Sequence, residues 1–81
     1  LGMLERLISL VKEQSDIPNS DLINLKTNLL NDLGLSSMDK VNLIVAIESE
    51  FDVEIPEQKL SNIVTVADLL EILQEEIDKS R

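Results

Sequence analysis

The sequence predicts an all-α fold, a small bundle of three long helices and one short helix, and three observations carry that expectation. Apolar residues recur three and four positions apart along most of the chain, the spacing that collects side chains on one face of a helix. Twice a hydroxyl residue is followed three positions later by an aspartate ahead of an apolar run, Ser36 with Asp39 and Thr65 with Asp68, which is the pattern of a helix start. Alternation with a period of two, the signature of a half-buried strand, is confined to the short pair Val53 and Ile55.

The first helix is expected over Met3–Gln14, where Met3, Leu4, Leu7, Ile8, Leu10 and Val11 fall on one side. Ser15, Asp16, Pro18, Asn19, Ser20 and Asp21 then gather turn-forming residues, so a long connection comes next. Within it Thr27 is expected to cap a short turn carrying Leu29 and Leu30, and Gly34 lets the backbone reverse before the next helix. The second helix should start at about Ser37 and run to Phe51, with Asp52 ending it. Pro56 suits the start of a short third helix over residues 57–61. The last helix begins after Thr65, turns Val66, Leu69, Leu70, Leu73 and Ile77 inward, and ends near Lys79. Phe51, the only aromatic residue, is expected to anchor the core.

Composition limits the function. At 81 residues with 43% hydrophobic side chains, two glycines and two prolines, residues 1–81 read as one ordered domain, with Leu1 and Gly2 preceding a natural start at Met3. A domain of this size hides only roughly 60% of its unfolded surface, which leaves little core to enclose an active site, so no catalytic residue and no enzyme activity is expected. Sixteen acidic against seven basic side chains give a net charge of −9. That field repels phosphate backbones and anionic lipid headgroups, so neither nucleic acid nor membrane is an expected partner, whereas basic patches on proteins are. Cysteine and histidine are absent, which removes disulfides, thiolate and imidazole metal ligands and every Ser-His or Cys-His nucleophile. Asp52, Glu54, Glu75 and Glu76 lack the spacing of a calcium loop, and no metal is expected. The longest wholly apolar run, Leu43 to Ile47, is far short of the ~20 residues that span a bilayer, and the expectation is a cytoplasmic monomer.

The second helix carries more apolar surface than a small core needs. At about 100° per residue, Leu43, Ile44, Ile47 and Phe51 make one core-facing stripe, while Met38, Val41 and Val45 lie roughly opposite, flanked by Asp39, Asn42, Glu48 and Ser49. Either the long connection folds over these three or they form a docking strip rimmed by polar groups; for the strip as a whole, exposure is the expectation. A serine at a helix start is most often a cap, and one of Ser36 and Ser37 suffices for that. Its neighbour is surplus, with a hydroxyl near the helix N-terminus, where backbone donors and the helix dipole favour an attached phosphate.

At these residues the chain resembles the acyl carrier proteins and their peptidyl carrier relatives, whose second helix opens on Leu-Gly-x-Asp-Ser-Leu-Asp and here reads Leu33-Gly34-Leu35-Ser36-Ser37-Met38-Asp39. The likeness continues through Val41, Leu43, Ala46-Ile47-Glu48, Glu50-Phe51, Glu54-Ile55-Pro56 and Thr65-Val66-Ala67-Asp68-Leu69, and so covers the chain from about Asn28 onward and, by pattern, the first helix. The resemblance implies that Ser37 receives 4′-phosphopantetheine from coenzyme A through a phosphopantetheinyl transferase. The arm's thiol would carry acyl groups as thioesters between enzymes of fatty-acid, polyketide or related lipid synthesis, the protein itself catalysing nothing. By the same likeness Met38, Asp39, Val41, Val45 and Glu48 form the face met by acyl-loading and acyl-processing enzymes with basic docking patches, and Leu43, Ile47, Phe51, Ile63 and Leu69 line an interior that can shelter an acyl chain.

Two departures stand out. Ser36 replaces the acidic residue that usually precedes the modified serine, and Asn42 stands where glutamate is common, so two charges are missing beside the site. Ser36 also offers a rival hydroxyl, although the spacing to Gly34 and Asp39 favours Ser37. A peptidyl or D-alanyl carrier and an unmodified helical interaction module are the alternatives.

Overall fold

The computed structural model describes residues 2–15 and 22–79. It is all-α: α1 spans Met3–Gln14, α2 Ser37–Phe51, a 3₁₀ helix Glu57–Asn62 and α3 Val66–Lys79. Among the described residues no strand forms, and the sole strand-like pairing is an isolated bridge between Asn28 and Thr65. None of these helices is long and apolar enough to cross a membrane.

Helix α1 has no side-chain cap, since Gly2 precedes it, so its stability depends on the face it buries. Leu7 and Val11 are buried, and Met3, Ile8 and Leu10 pack partly against the same cluster. Helix α2 contributes Leu43, Ile44 and Ile47, and α3 contributes Val66, Leu69, Ile72 and Leu73. Ile72 is therefore an inward residue that the expected stripe missed, while Leu70 and Ile77 lie at the margin of the core.

Non-helical segments close the rest. Ile23, Leu29 and Leu35 from the connection, and Val53, Ile55 and Ile63 from around the 3₁₀ helix, are all buried in the one cluster. Their backbone groups need partners once water is excluded. The connection finds them in the segment that opens α3: Leu29 N–H donates to the Val64 carbonyl at 2.9 Å, Val66 N–H to Thr27 at 3.1 Å and Ala67 N–H to Leu25 at 2.9 Å.

Two expectations are corrected. Thr27 does not cap the turn at Leu29 and Leu30; it is buried, and its hydroxyl accepts the Asn24 N–H at 2.9 Å. Asn28 is the cap, its side-chain oxygen accepting the N–H groups of Leu30 and Asn31 at 3.0 and 2.8 Å, a reach that suits the short Asx side chain. Phe51 does not anchor the core, because it is the last residue of α2, where the interior tapers. It lies half-buried at the edge beneath the Arg6 guanidinium, 4.5 Å from the ring centroid, and Arg6 in turn holds Glu50 at 2.8 Å. Leu43 and Ile47 fill the centre instead.

The turn into α2 depends on Gly34, whose φ of +68° is a conformation side chains disfavour. No atom lies within 4 Å of a Cβ built there, so backbone conformation and not space is what requires glycine. At the other end Asp52 takes the left-handed conformation, φ 55°, that ends many helices.

Candidate functional site

The start of α2 is organised by Ser36. Its hydroxyl accepts the Asp39 N–H at 3.1 Å, and Asp39 Oδ2 accepts the Ser36 N–H at 3.0 Å, a reciprocal capping box. The Ser36 carbonyl accepts the Lys40 N–H at 2.9 Å. With its own groups committed, Ser36 leaves Ser37 as the first helical residue, exposed, with no hydrogen bond to its hydroxyl among the described residues. The N–H groups of Ser37 and Met38 belong to the helix's unpaired first turn, and the positive end of the helix dipole lies there too.

Met38, Val41 and Val45 are 67%, 44% and 57% exposed, so the connection does not cover them. Asp39 is half-buried through its part in the cap. Glu48 is also half-buried: its Oε2 accepts the Ile55 N–H at 2.8 Å and ties the extended segment after α2 back onto the helix. Leu43, Ile47, Ile63 and Leu69 meet in the buried cluster, with Phe51 at its edge, and Ile63 also lines a surface cleft. No group of three or more acidic side chains among the described residues is placed to hold a metal ion.

Sequence reasoning passed over Lys40, the sole cation of α2, three residues beyond Ser37. The available signal was its sign, since a lysine one turn into this helix is conspicuous in a chain of net charge −9. Lys40 also bears on Asp68 at the start of α3. Asp68 Oδ2 accepts the N–H groups of Thr65 and Val64 at 3.0 and 2.9 Å, and these bonds hold its carboxyl below the usual value of 3.8, with the Lys40 charge adding a smaller pull in the same direction.

The start of α2 thus combines an exposed hydroxyl, backbone donors without partners among the described residues and an uncovered apolar strip along the same helix, surroundings that favour an anionic group. The family model described as the phosphopantetheine attachment site matches residues 5–73, and the chain belongs to that family. It is a phosphopantetheine carrier, and its cofactor is 4′-phosphopantetheine; domains of this family are modified by phosphopantetheinyl transferases and interact with partner enzymes. The residues present fit the group. A phosphodiester at the start of α2 would meet two unspent N–H donors and a favourable dipole, and the ground beside Gly34 is open.

Proposed function

We propose that Ser37 carries the phosphopantetheine arm and that the chain is an acyl carrier protein of fatty-acid, polyketide or related lipid synthesis. The observation that supports the site is the division of labour between the two serines: Ser36 is spent in the capping box, and the Ser37 hydroxyl stands exposed without a partner among the described residues. In the transfer, the Ser37 oxygen attacks the phosphorus that bears the pantetheine in coenzyme A. The P–O bond to the nucleotide half breaks, the nucleotide leaves with the bonding electrons, and the serine proton passes to a base of the transferase. Thereafter the carrier supplies no catalytic group; the arm's thiol holds cargo as a thioester while partner enzymes act on it.

Acyl rather than aminoacyl cargo is favoured by the strong acidity and the Glu54-Ile55-Pro56 stretch that the acyl carriers share. The exposed strip Met38, Val41 and Val45, with Asp39 beside it, is the face offered to partners bearing basic and apolar patches. Glu48 contributes to that face with a carboxylate already anchored to Ile55. The carrier is a cytoplasmic monomer in this reading.

Incubation with coenzyme A and a broad-specificity phosphopantetheinyl transferase, followed by mass measurement, tests the site. A gain of one phosphopantetheine, lost in Ser37→Ala and kept in Ser36→Ala, is expected. Dependence on Ser36 instead would overturn the assignment. Loading by malonyl transferases, and not by adenylating enzymes, is the outcome expected for an acyl carrier.

A further inference from the structure

Sulfur is scarce in this chain, which has no cysteine and two methionines, Met3 and Met38. The two thioethers sit in different surroundings. Met3, at the start of α1, is half-buried against the core cluster, whereas Met38, on the first turn of α2, is 67% exposed and the most open residue of the apolar strip. An oxidant dissolved in water therefore reaches Met38 ahead of Met3, because oxidation follows exposure.

Its place on the helix gives that reactivity a consequence. Met38, Val41 and Val45 recur at spacings of three and four and so share one face, the face offered to partner enzymes in the reading above. Little free charge assists them there. Ser36 and Asn42 are neutral, the Asp39 carboxylate accepts the Ser36 N–H at 3.0 Å, and the Glu48 carboxylate accepts the Ile55 N–H at 2.8 Å. Apolar contact thus carries a large share of docking on α2, and Met38 supplies the longest and most adaptable side chain of the strip. A sulfoxide at this point puts a strongly polar oxygen where a soft thioether stood. Covered by the apolar patch of a partner, that oxygen is buried without a donor, which costs binding free energy.

We propose that Met38 is an oxidation site that switches the docking face: peroxide converts its thioether to the sulfoxide, and the carrier, its fold unchanged, then engages partner enzymes more weakly. The inference rests on the reading of α2 as the docking helix that presents Ser37. In the step, a lone pair of the Met38 sulfur attacks one oxygen of hydrogen peroxide. The S–O bond forms as the O–O bond breaks, and the departing hydroxide takes the proton of the transferred oxygen and leaves as water, so that sulfur is oxidised and peroxide reduced. Methionine sulfoxide reductases restore the thioether, which makes the change reversible. The hydrocarbon side chains of Val41 and Val45 offer no such chemistry, so the sensitivity of the strip is concentrated at its end nearest Ser37.

The test treats the apo chain with hydrogen peroxide, removes the oxidant and maps the gained oxygen by peptide mass before any arm is attached, so that no thiol meets the oxidant. Oxidation is expected at Met38 ahead of Met3, with helix content by circular dichroism unchanged. Steady-state transfer of phosphopantetheine from coenzyme A then reads docking: KM is expected to rise roughly fivefold on oxidation with kcat nearly constant, and to return on treatment with methionine sulfoxide reductases. The ratio of treated to untreated KM is expected to stay at about one in Met38→Leu and to keep the parent's value in Met3→Leu. Oxidation of Met3 ahead of Met38, or a treated Met38→Leu that loses as much as the parent, overturns the inference. Val41→Asp separates it from the reading beneath: a KM raised by Val41→Asp but not by oxidation of Met38 overturns the switch and leaves the docking face standing, whereas a KM moved by neither overturns the docking face as well. An untreated parent that gains no mass strikes the Ser37 reading instead.

Discussion

Ser36-Ser37-Met38-Asp39 and Thr65-Val66-Ala67-Asp68 are the same device placed at two helix starts. In both, the hydroxyl accepts the aspartate N–H and the aspartate accepts the N–H of the hydroxyl residue, at 3.1 and 3.0 Å for α2 and at 3.3 and 3.0 Å for α3. The first turns beyond the two caps differ. At α3 the first helical residue, Val66, is 0% exposed, and its N–H and that of Ala67 are taken by carbonyls of the connection. At α2 the first helical residue is a serine in the open, and among the described residues its N–H and that of Met38 meet no partner. One start is sewn into the core and the other left available for chemistry, so a capping box locates a helix without saying whether its first turn is free.

Exchanging the two first-turn residues breaks that comparison most sharply. Val66→Ser takes a fully buried apolar group out of the core and should cost about 2 kcal/mol in urea unfolding. Ser37→Val sits on the surface and should change stability by less than about 0.5 kcal/mol while abolishing phosphopantetheine loading. If Ser37→Val unfolds as readily as Val66→Ser, the start of α2 is not the uncovered one.

The aspartates should differ by less. Asp68 accepts two backbone donors and Asp39 one, so Asp68→Ala is expected to lose about 2 kcal/mol against about 1 for Asp39→Ala, with Ser36→Ala close to the latter and still competent for loading. Equal losses at the two aspartates would say that the second bond to Asp68 adds nothing.

Acid sharpens the same contrast. The Asp68 carboxyl lies below its ordinary value of 3.8 because the Thr65 and Val64 N–H groups favour the ionised form. The unfolded chain therefore takes up that proton first, so the stabilisation is complete above the ordinary value and is lost as pH falls through the folded one. The stability gap between the parent and Asp68→Asn, tracked by urea unfolding across a series from neutral to acid, should shrink below about pH 4. A gap that is constant into strong acid would refute the assignment.

The smallest effect acts on both starts alike. The surface ion pairs Arg6–Glu50, Lys59–Glu75, Lys59–Glu76 and Lys79–Glu76 are each weak, whereas sixteen carboxylates against seven cations repel throughout. Screening that repulsion should raise Tm modestly between low and moderate salt. A Tm that falls would mean that the ion pairs outweigh the repulsion.

Legibility tracked the distance over which each feature is decided. The helix bounds, the Ser36 cap and the conclusion that Ser37 is surplus were readable because capping involves residues three apart. Thr27 was misread since its fate is set by burial beneath the segment opening α3, while the local turn falls to Asn28. Phe51 looked like a core residue by its spacing on α2, but Arg6, 44 positions from Glu50, draws the end of that helix into a surface cluster. Glu48 is expected on the partner-facing side of α2, and that its carboxylate also accepts the Ile55 N–H depends on a segment seven residues on. Lys40 gave no periodic signal, and the cleft it lines with Ile63 exists only where the connection and the 3₁₀ segment come together.

Sequence by itself therefore determined the all-α class, the positions of the helices and which of two adjacent serines caps α2, because periodicity and capping are settled within a turn or two of chain. Tertiary structure alone decided which of two matching caps stays uncovered, what lies at the core's edge and which carboxylate Lys40 acts on. Those outcomes depend on segments remote in sequence competing for the same buried surface and the same backbone donors.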